Sequence, residues 1–166
     1  MRLIFVLFIG VFIGVVLSAG HGDDITDSDG HPNNREKFLP EEEIQIRGPK
    51  GAELIYAQGS QIPYTGKTID MWSNGQKKFE AHWKDGKEDG PNTWWYENGE
   101  KRLQIHWKDG KKDGLYTVWH ENGEARVEIL YKDGRRDGLY SVWHENGQAR
   151  VEILYKDGMR VPNQSK

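Results

Sequence analysis

Residues 115–136 read LYTVWHENGEARVEILYKDGRR, and residues 139–160 read LYSVWHENGQARVEILYKDGMR. The two segments differ only at Thr117/Ser141, Glu124/Gln148 and Arg135/Met159. Across the chain, Asn-Gly recurs with glycines at Gly75, Gly99, Gly123 and Gly147. Asp-Gly recurs with Gly86, Gly110, Gly134 and Gly158, and a third series falls at Gly66, Gly90, Gly114 and Gly138. Each series steps by 24 residues, the mark of a repeat architecture. Trp95, Trp119 and Trp143 keep the same step, as do Trp83, Trp107, Tyr131 and Tyr155.

Each unit holds two strand-like runs between turn dipeptides, which predicts antiparallel hairpins. Side-chain parity then selects the turn. A three-residue loop Glu121-Asn122-Gly123, with Gly123 left-handed, puts Leu115, Thr117, Trp119, Ala125, Val127, Ile129 and Tyr131 on one face. Tyr116, Val118, His120, Glu124, Arg126, Glu128 and Leu130 then form a mostly polar second face. The same treatment of Lys108-Asp109-Gly110 pairs Leu103 with Leu115. It leaves Asp113 on the apolar face without a partner, with Gly114 beside it as a kink position. The turn glycines are read as positions of positive φ, where a Cβ costs roughly 1–2 kcal/mol. The predicted fold is all-β: an elongated, twisted antiparallel sheet of tandem 24-residue hairpins, each burying its face beside the next.

The flanking segments differ in kind. Residues 1–20, MRLIFVLFIGVFIGVVLSAG, join a basic Arg2, an apolar run and a small-residue end, the layout of a secretory signal peptide. The expected location is secreted or periplasmic after cleavage, with an uncleaved N-terminal membrane anchor as the alternative. Residues 21–43 carry Asp23, Asp24, Asp27, Asp29, Glu36, Glu41, Glu42 and Glu43 against Arg35 and Lys37, and read as an acidic disordered linker. Residues 44–66 read as an irregular capping half-repeat, 67–160 as the hairpin repeats and 161–166 as a polar tail.

Composition narrows the chemistry. The absence of cysteine excludes disulfides, thiolate metal sites and cysteine nucleophiles. Net charge is −3, and no basic stripe suited to nucleic acid is present. Asp27-Ser28-Asp29-Gly30 breaks the calcium-loop register, because Ile25 takes the first ligand position. His82/His106 and His120/His144 are equivalent pairs two strands apart, about 10 Å, too far to converge on one zinc. Ser73 and Ser141 lack a base and an orienting acid, and no phosphate cradle is present. No enzyme, cofactor or metal is therefore expected. Parity places Trp72, Trp94 and Tyr96 on the second face, with Trp94 opposite Arg102 and Tyr96 opposite Glu100. These residues, with Arg102, His120 and His144, form either a partner-binding cluster or a small second core covered by residues 44–66.

The units WYENGE (95–100), WHENGE (119–124) and WHENGQ (143–148), each followed by aromatic-Lys-Asp-Gly, resemble the MORN-repeat variant family. The likeness is to its bacterial branch of YwqK-like antitoxin components. It spans roughly 44–160, including the lead-in PYTGK (63–67). It implies a repeated hairpin sheet that binds a protein partner, with toxin neutralisation by direct contact implied by the branch's label. Phospholipid association of some eukaryotic relatives implies a weaker membrane-surface alternative, and surface tryptophans leave glycan binding as another. Two departures stand out: an export signal on a relative of antitoxins, and Trp72, His120 and His144 where the family's Tyr before Glu-Asn-Gly is kept only at Tyr96.

Overall fold

Glycine and aspartate at positive φ set the chain's reversals, and two kinds of turn alternate along it. The computed structural model describes residues 38–162. The signal-peptide reading, residues 21–37 of the acidic stretch and residues 163–166 lie outside them. The strands are β1 (Phe38–Pro40), β2 (Ile44–Arg47), β3 (Leu54–Ala57), β4 (Gly66–Met71), β5 (Lys77–Lys84), β6 (Lys87–Glu88), β7 (Gly90–Trp95), β8 (Lys101–Lys108), β9 (Lys111–Trp119), β10 (Ala125–Lys132), β11 (Arg135–Trp143), β12 (Ala149–Lys156) and β13 (Met159–Arg160). From β4 to β13 the sheet is a meander of antiparallel neighbours, while β1 pairs in parallel with β4. β2 and β3 form a separate two-stranded sheet. The chain is thus regular from Phe38, with a 3₁₀ turn at Glu41–Glu43, inside the stretch expected to be linker.

At one end of every hairpin is the three-residue Asn-Gly loop. Gly123 has φ 84°, its N–H bonds to the His120 carbonyl at 3.0 Å and the His120 N–H to the Glu124 carbonyl at 2.9 Å. Trp119 accordingly lies opposite Ala125. The next pair is Val118 with Val127, so Arg126 is an extra residue, a β-bulge. The same bulge recurs at Lys78, Arg102 and Arg150. One inserted residue exchanges the two faces, which overturns the parity assignment. Val127, Ile129 and Tyr131 lie with Val118 and Tyr116, whereas Trp119, Thr117 and Leu115 lie with Ala125, Glu128 and Leu130. Likewise Trp94 lies opposite Leu103 rather than Arg102.

The other end also departs from expectation. Lys108 pairs with Lys111, so Asp109-Gly110 is a two-residue turn. Both residues have positive φ, 49° and 77°, as the primed turn matching the sheet's twist requires. Leu103 consequently pairs with Val118, not Leu115. An irregularity opposite His106 takes up Asp113–Leu115. Asp113 has a role here: its Oδ2 accepts the Asp133 N–H of the next turn at 3.0 Å. Asp89 accepts from Asp109 in the same way, and Thr65 Oγ1 from Asp85. The Gly86, Gly110, Gly134 and Gly158 amides bond back to the carbonyls of Tyr64, Glu88, Lys112 and Arg136.

Candidate interaction face

The bulges sort the side chains into two unlike faces. One, the aromatic face, carries Phe79, Ala81 and Trp83, then Asn92 and Trp94, then Leu103, Ile105 and Trp107. It continues through Tyr116 and Val118, Val127, Ile129 and Tyr131, Tyr140 and Val142, and Val151, Ile153 and Tyr155. Ala81, Ile105 and Ile129 are buried along its centre and most of the others are half-buried. β-Branched and aromatic residues suit such a pleated, one-sided surface.

Cations border this face on both sides. At the primed-turn side, the Lys112 ammonium lies 5.3 Å from the Tyr116 and Tyr131 ring centroids and 5.8 Å from that of Trp107. Arg136 lies 5.8 and 5.1 Å from the rings of Tyr140 and Tyr155 and donates to the Tyr155 hydroxyl at 3.3 Å. At the Asn-Gly side stand the bulge residues. Lys78 pairs with Asp70 at 2.6 Å. Arg102, Arg126 and Arg150 are exposed and make no ion pair among the described residues. Arg126 and Arg150 line an open depression of 1020 Å³ together with His120, Val127, Tyr140 and Val142. Glu145 also borders it, its carboxylate 3.7 Å from His120 Nδ1.

Burial at the early end of the face holds polar groups. Asn92 is fully buried, accepting from the His82 N–H at 3.1 Å and donating to Glu88 Oε1 at 2.7 Å. Burial raises the Glu88 carboxyl above its ordinary range, against the opposing pull of the Asn92 bond and the Lys112 charge. Trp83 Nε1 donates to Thr68 Oγ1 at 2.9 Å, whereas Trp107 Nε1 is buried with no hydrogen-bond partner.

The six residues read from sequence as a partner cluster fall in three places: Trp72, Tyr96 and Arg102 at one depression, His120 and His144 at another, and Trp94 within the aromatic face. Trp72 Nε1 donates to the Trp95 carbonyl at 3.3 Å, and the Tyr96 hydroxyl donates to the Trp119 carbonyl at 3.0 Å. His120 Nε2 lies 3.4 Å from the Trp143 carbonyl. Each ties its hairpin to the next, through a carbonyl 23 residues further along the chain. Trp94 stacks on Phe79, ring centroids 4.6 Å apart and tilted 37°, inside the aromatic face. Arg102 shares a 400 Å³ depression with Trp72, Trp95 and Tyr96. His144, in the last copy, is exposed and borders the larger depression with His120. Lys112 and Arg136 belong to the bases that the sequence clusters at one end of the hairpins, while sequence reasoning missed Arg126 and Arg150 as border residues. Their signal was the 24-residue step itself, in Lys78/Arg102/Arg126/Arg150.

Among the described residues no group of three or more His, Asp or Glu side chains is placed to hold a metal ion. No helix among them is long and apolar enough to cross a membrane. Three consecutive segments, residues 88–109, 112–133 and 136–157, match the family model described as MORN repeat variant. No curated protein matches the chain.

Proposed function

We propose that this chain, whose three matched MORN-variant repeats form one continuous sheet, is an exported, non-enzymatic module that binds a protein partner on its aromatic face. The observation that carries the reading is the juxtaposition of that face with its cationic borders. Half-buried aromatic and branched side chains flanked by Arg are the composition of partner hot spots. The border cations recur from repeat to repeat, as Arg102, Arg126 and Arg150 do, which is the layout of a recognition surface. Export rests on residues 1–20 alone. An immunity-like role, neutralising a toxin outside the inner membrane, is the specific form that the family likeness favours.

The test is affinity capture from the native source with the chain and a Val142→Gln variant of unchanged melting temperature. Loss of particular partners from the variant is expected. Identical partner sets would sink the assignment of this face.

A lipid-surface reading has its own observation. Leu115, Leu130, Leu139 and Leu154 lie on the opposite face, 39–49% exposed, with Leu130 directly across from Leu115 and Leu139 from Leu154. Failure of the chain to sediment with anionic vesicles at low salt removes this second reading, and sedimentation that survives Leu139→Ser/Leu154→Ser removes these leucines as its site.

A further inference from the structure

The cations at the two sides of the aromatic face recur with the repeat, so they form a ruler. Arg102, Arg126 and Arg150 occupy the same bulge in successive hairpins. Successive hairpins lie two strands apart, about 10 Å. Across the face, the second border begins where Arg136 lies opposite Tyr131, five residues from Arg126 along β10. Five residues of strand span about 16 Å, and an α-helix with its side chains is about 10–12 Å across. The strip between the borders is aliphatic and aromatic. Of the acids near it, Asp70 pairs with Lys78, Glu88 hydrogen-bonds with Asn92 and lies near Lys112, and Glu145 stands beside His120, while Glu97 and Glu121 line the depression at Arg102.

A ligand that satisfies all these features needs an apolar stripe and anionic groups repeating about every 10 Å on one side. An extended strand covers that distance in three residues, an odd step that sends alternate side chains to opposite faces. A helix covers about 10.5 Å in seven residues and returns to nearly the same face. Resting on the interaction reading above, we infer that the partner segment is an acidic amphipathic helix. Its Asp or Glu residues recur at heptad spacing and meet Arg102, Arg126 and Arg150, while its apolar stripe lies on Val127, Tyr140 and Val142. Lys112 and Arg136, held over tyrosine rings, repel basic segments from the other side. Charge complementarity of this kind selects partners and speeds encounter more than it adds raw affinity.

The experiment uses the full chain and labelled synthetic three-heptad helices followed by fluorescence anisotropy. One helix carries Glu at every seventh position beside a Leu stripe, a second carries Gln there, and a third has the same Glu residues moved off the heptad. The heptad Glu helix should bind about tenfold or more tighter than the other two. That margin should shrink as salt rises from low ionic strength. Arg126→Glu/Arg150→Glu changes two exposed side chains and leaves the packing untouched; it should abolish the preference for Glu over Gln. Equal binding of the Glu and Gln helices would overturn the acidic assignment while leaving the aromatic-face reading to its own capture test. Equal binding of the heptad and off-heptad helices would overturn the ruler. Full competition by phosphatidylglycerol vesicles or by an oligothymidylate would overturn the choice of a helical protein segment over a lipid or nucleic acid.

Discussion

β10 and β12 have the same eight residues, ARVEILYK, yet different environments. In β10, Ile129 is 7% exposed, Val127, Glu128 and Tyr131 are half-buried, and strands lie on both sides. In β12 no residue is buried, because only the short β13 covers part of its outer edge. Identical chemistry therefore gives unequal burial, and the neighbouring hairpin accounts for the difference. The opposite end of the sheet is managed otherwise. β1 pairs with β4, and the β2–β3 hairpin docks through Ile55 N–H to the Gly86 carbonyl at 3.0 Å.

A matched truncation should separate the two strands most strongly. Ile129→Ala should cost about 3 kcal/mol, within the usual range for a buried large-to-small change, and Ile153→Ala about half as much. Urea unfolding of both variants checks this, and equal midpoints would refute the role assigned to the neighbour.

A second pair contrasts two glycines. At Gly138, φ is 143° and an added Cβ would lie 2.9 Å from Leu130 Cβ. At Gly147, φ is 77° with nothing within 4 Å. Gly138→Ala should cost about 2 kcal/mol or more, adding overpacking to backbone strain, and Gly147→Ala about 1 kcal/mol from strain alone. Thermal unfolding would show the order.

A smaller effect separates linked from unlinked copies. Tyr96→Phe removes the hydroxyl that donates to the Trp119 carbonyl and should cost about 1 kcal/mol. His144→Phe has no following hairpin to lose and should be close to neutral. A comparable loss at His144 in denaturant titrations would show that ring donors do not join repeats.

The smallest effect concerns pH. Burial raises the Glu88 carboxyl, so the folded chain holds that proton more tightly than the unfolded chain does. Its contribution favours folding most below the ordinary carboxylate value of 4.5 and declines as pH rises through the folded value. Glu88→Gln keeps an acceptor for Asn92 and should flatten that part of the stability profile. An unchanged profile would deny the desolvation.

Much of the fold was legible because its requirements are backbone requirements. Positive φ at Gly75, Gly99, Gly123 and Gly147 is satisfied most easily by glycine, so the period and the loops stand out in the letters. Facing was not legible beyond the loop. A bulge at Lys78, Arg102, Arg126 or Arg150 leaves no compositional mark, since a long basic residue suits an exposed strand position equally well. One unseen insertion then reverses every later side chain. The links made by the aromatic cluster were hidden for a related reason. Trp72, Tyr96 and His120 reach the carbonyls of the following hairpin, a relation between copies that spacing within one copy cannot show. Asp113 is the converse: it made no sense within its own hairpin and is explained by the next one.

The bonds that join hairpins run from each unit to its equivalent: Asn74 Nδ2 to the Glu97 carbonyl, Asn98 to Glu121, and Asn122 to Glu145. Each unit thus presents on one flank what its own other flank accepts. A gene carrying such a module can gain or lose 24 codons by unequal recombination without any seam needing new chemistry. Each gain lengthens the aromatic face by about 10 Å and adds one more bulge arginine. The near-identical last two copies are what a recent event of that kind would leave, and the reach of the molecule becomes a quantity that selection can adjust in fixed increments.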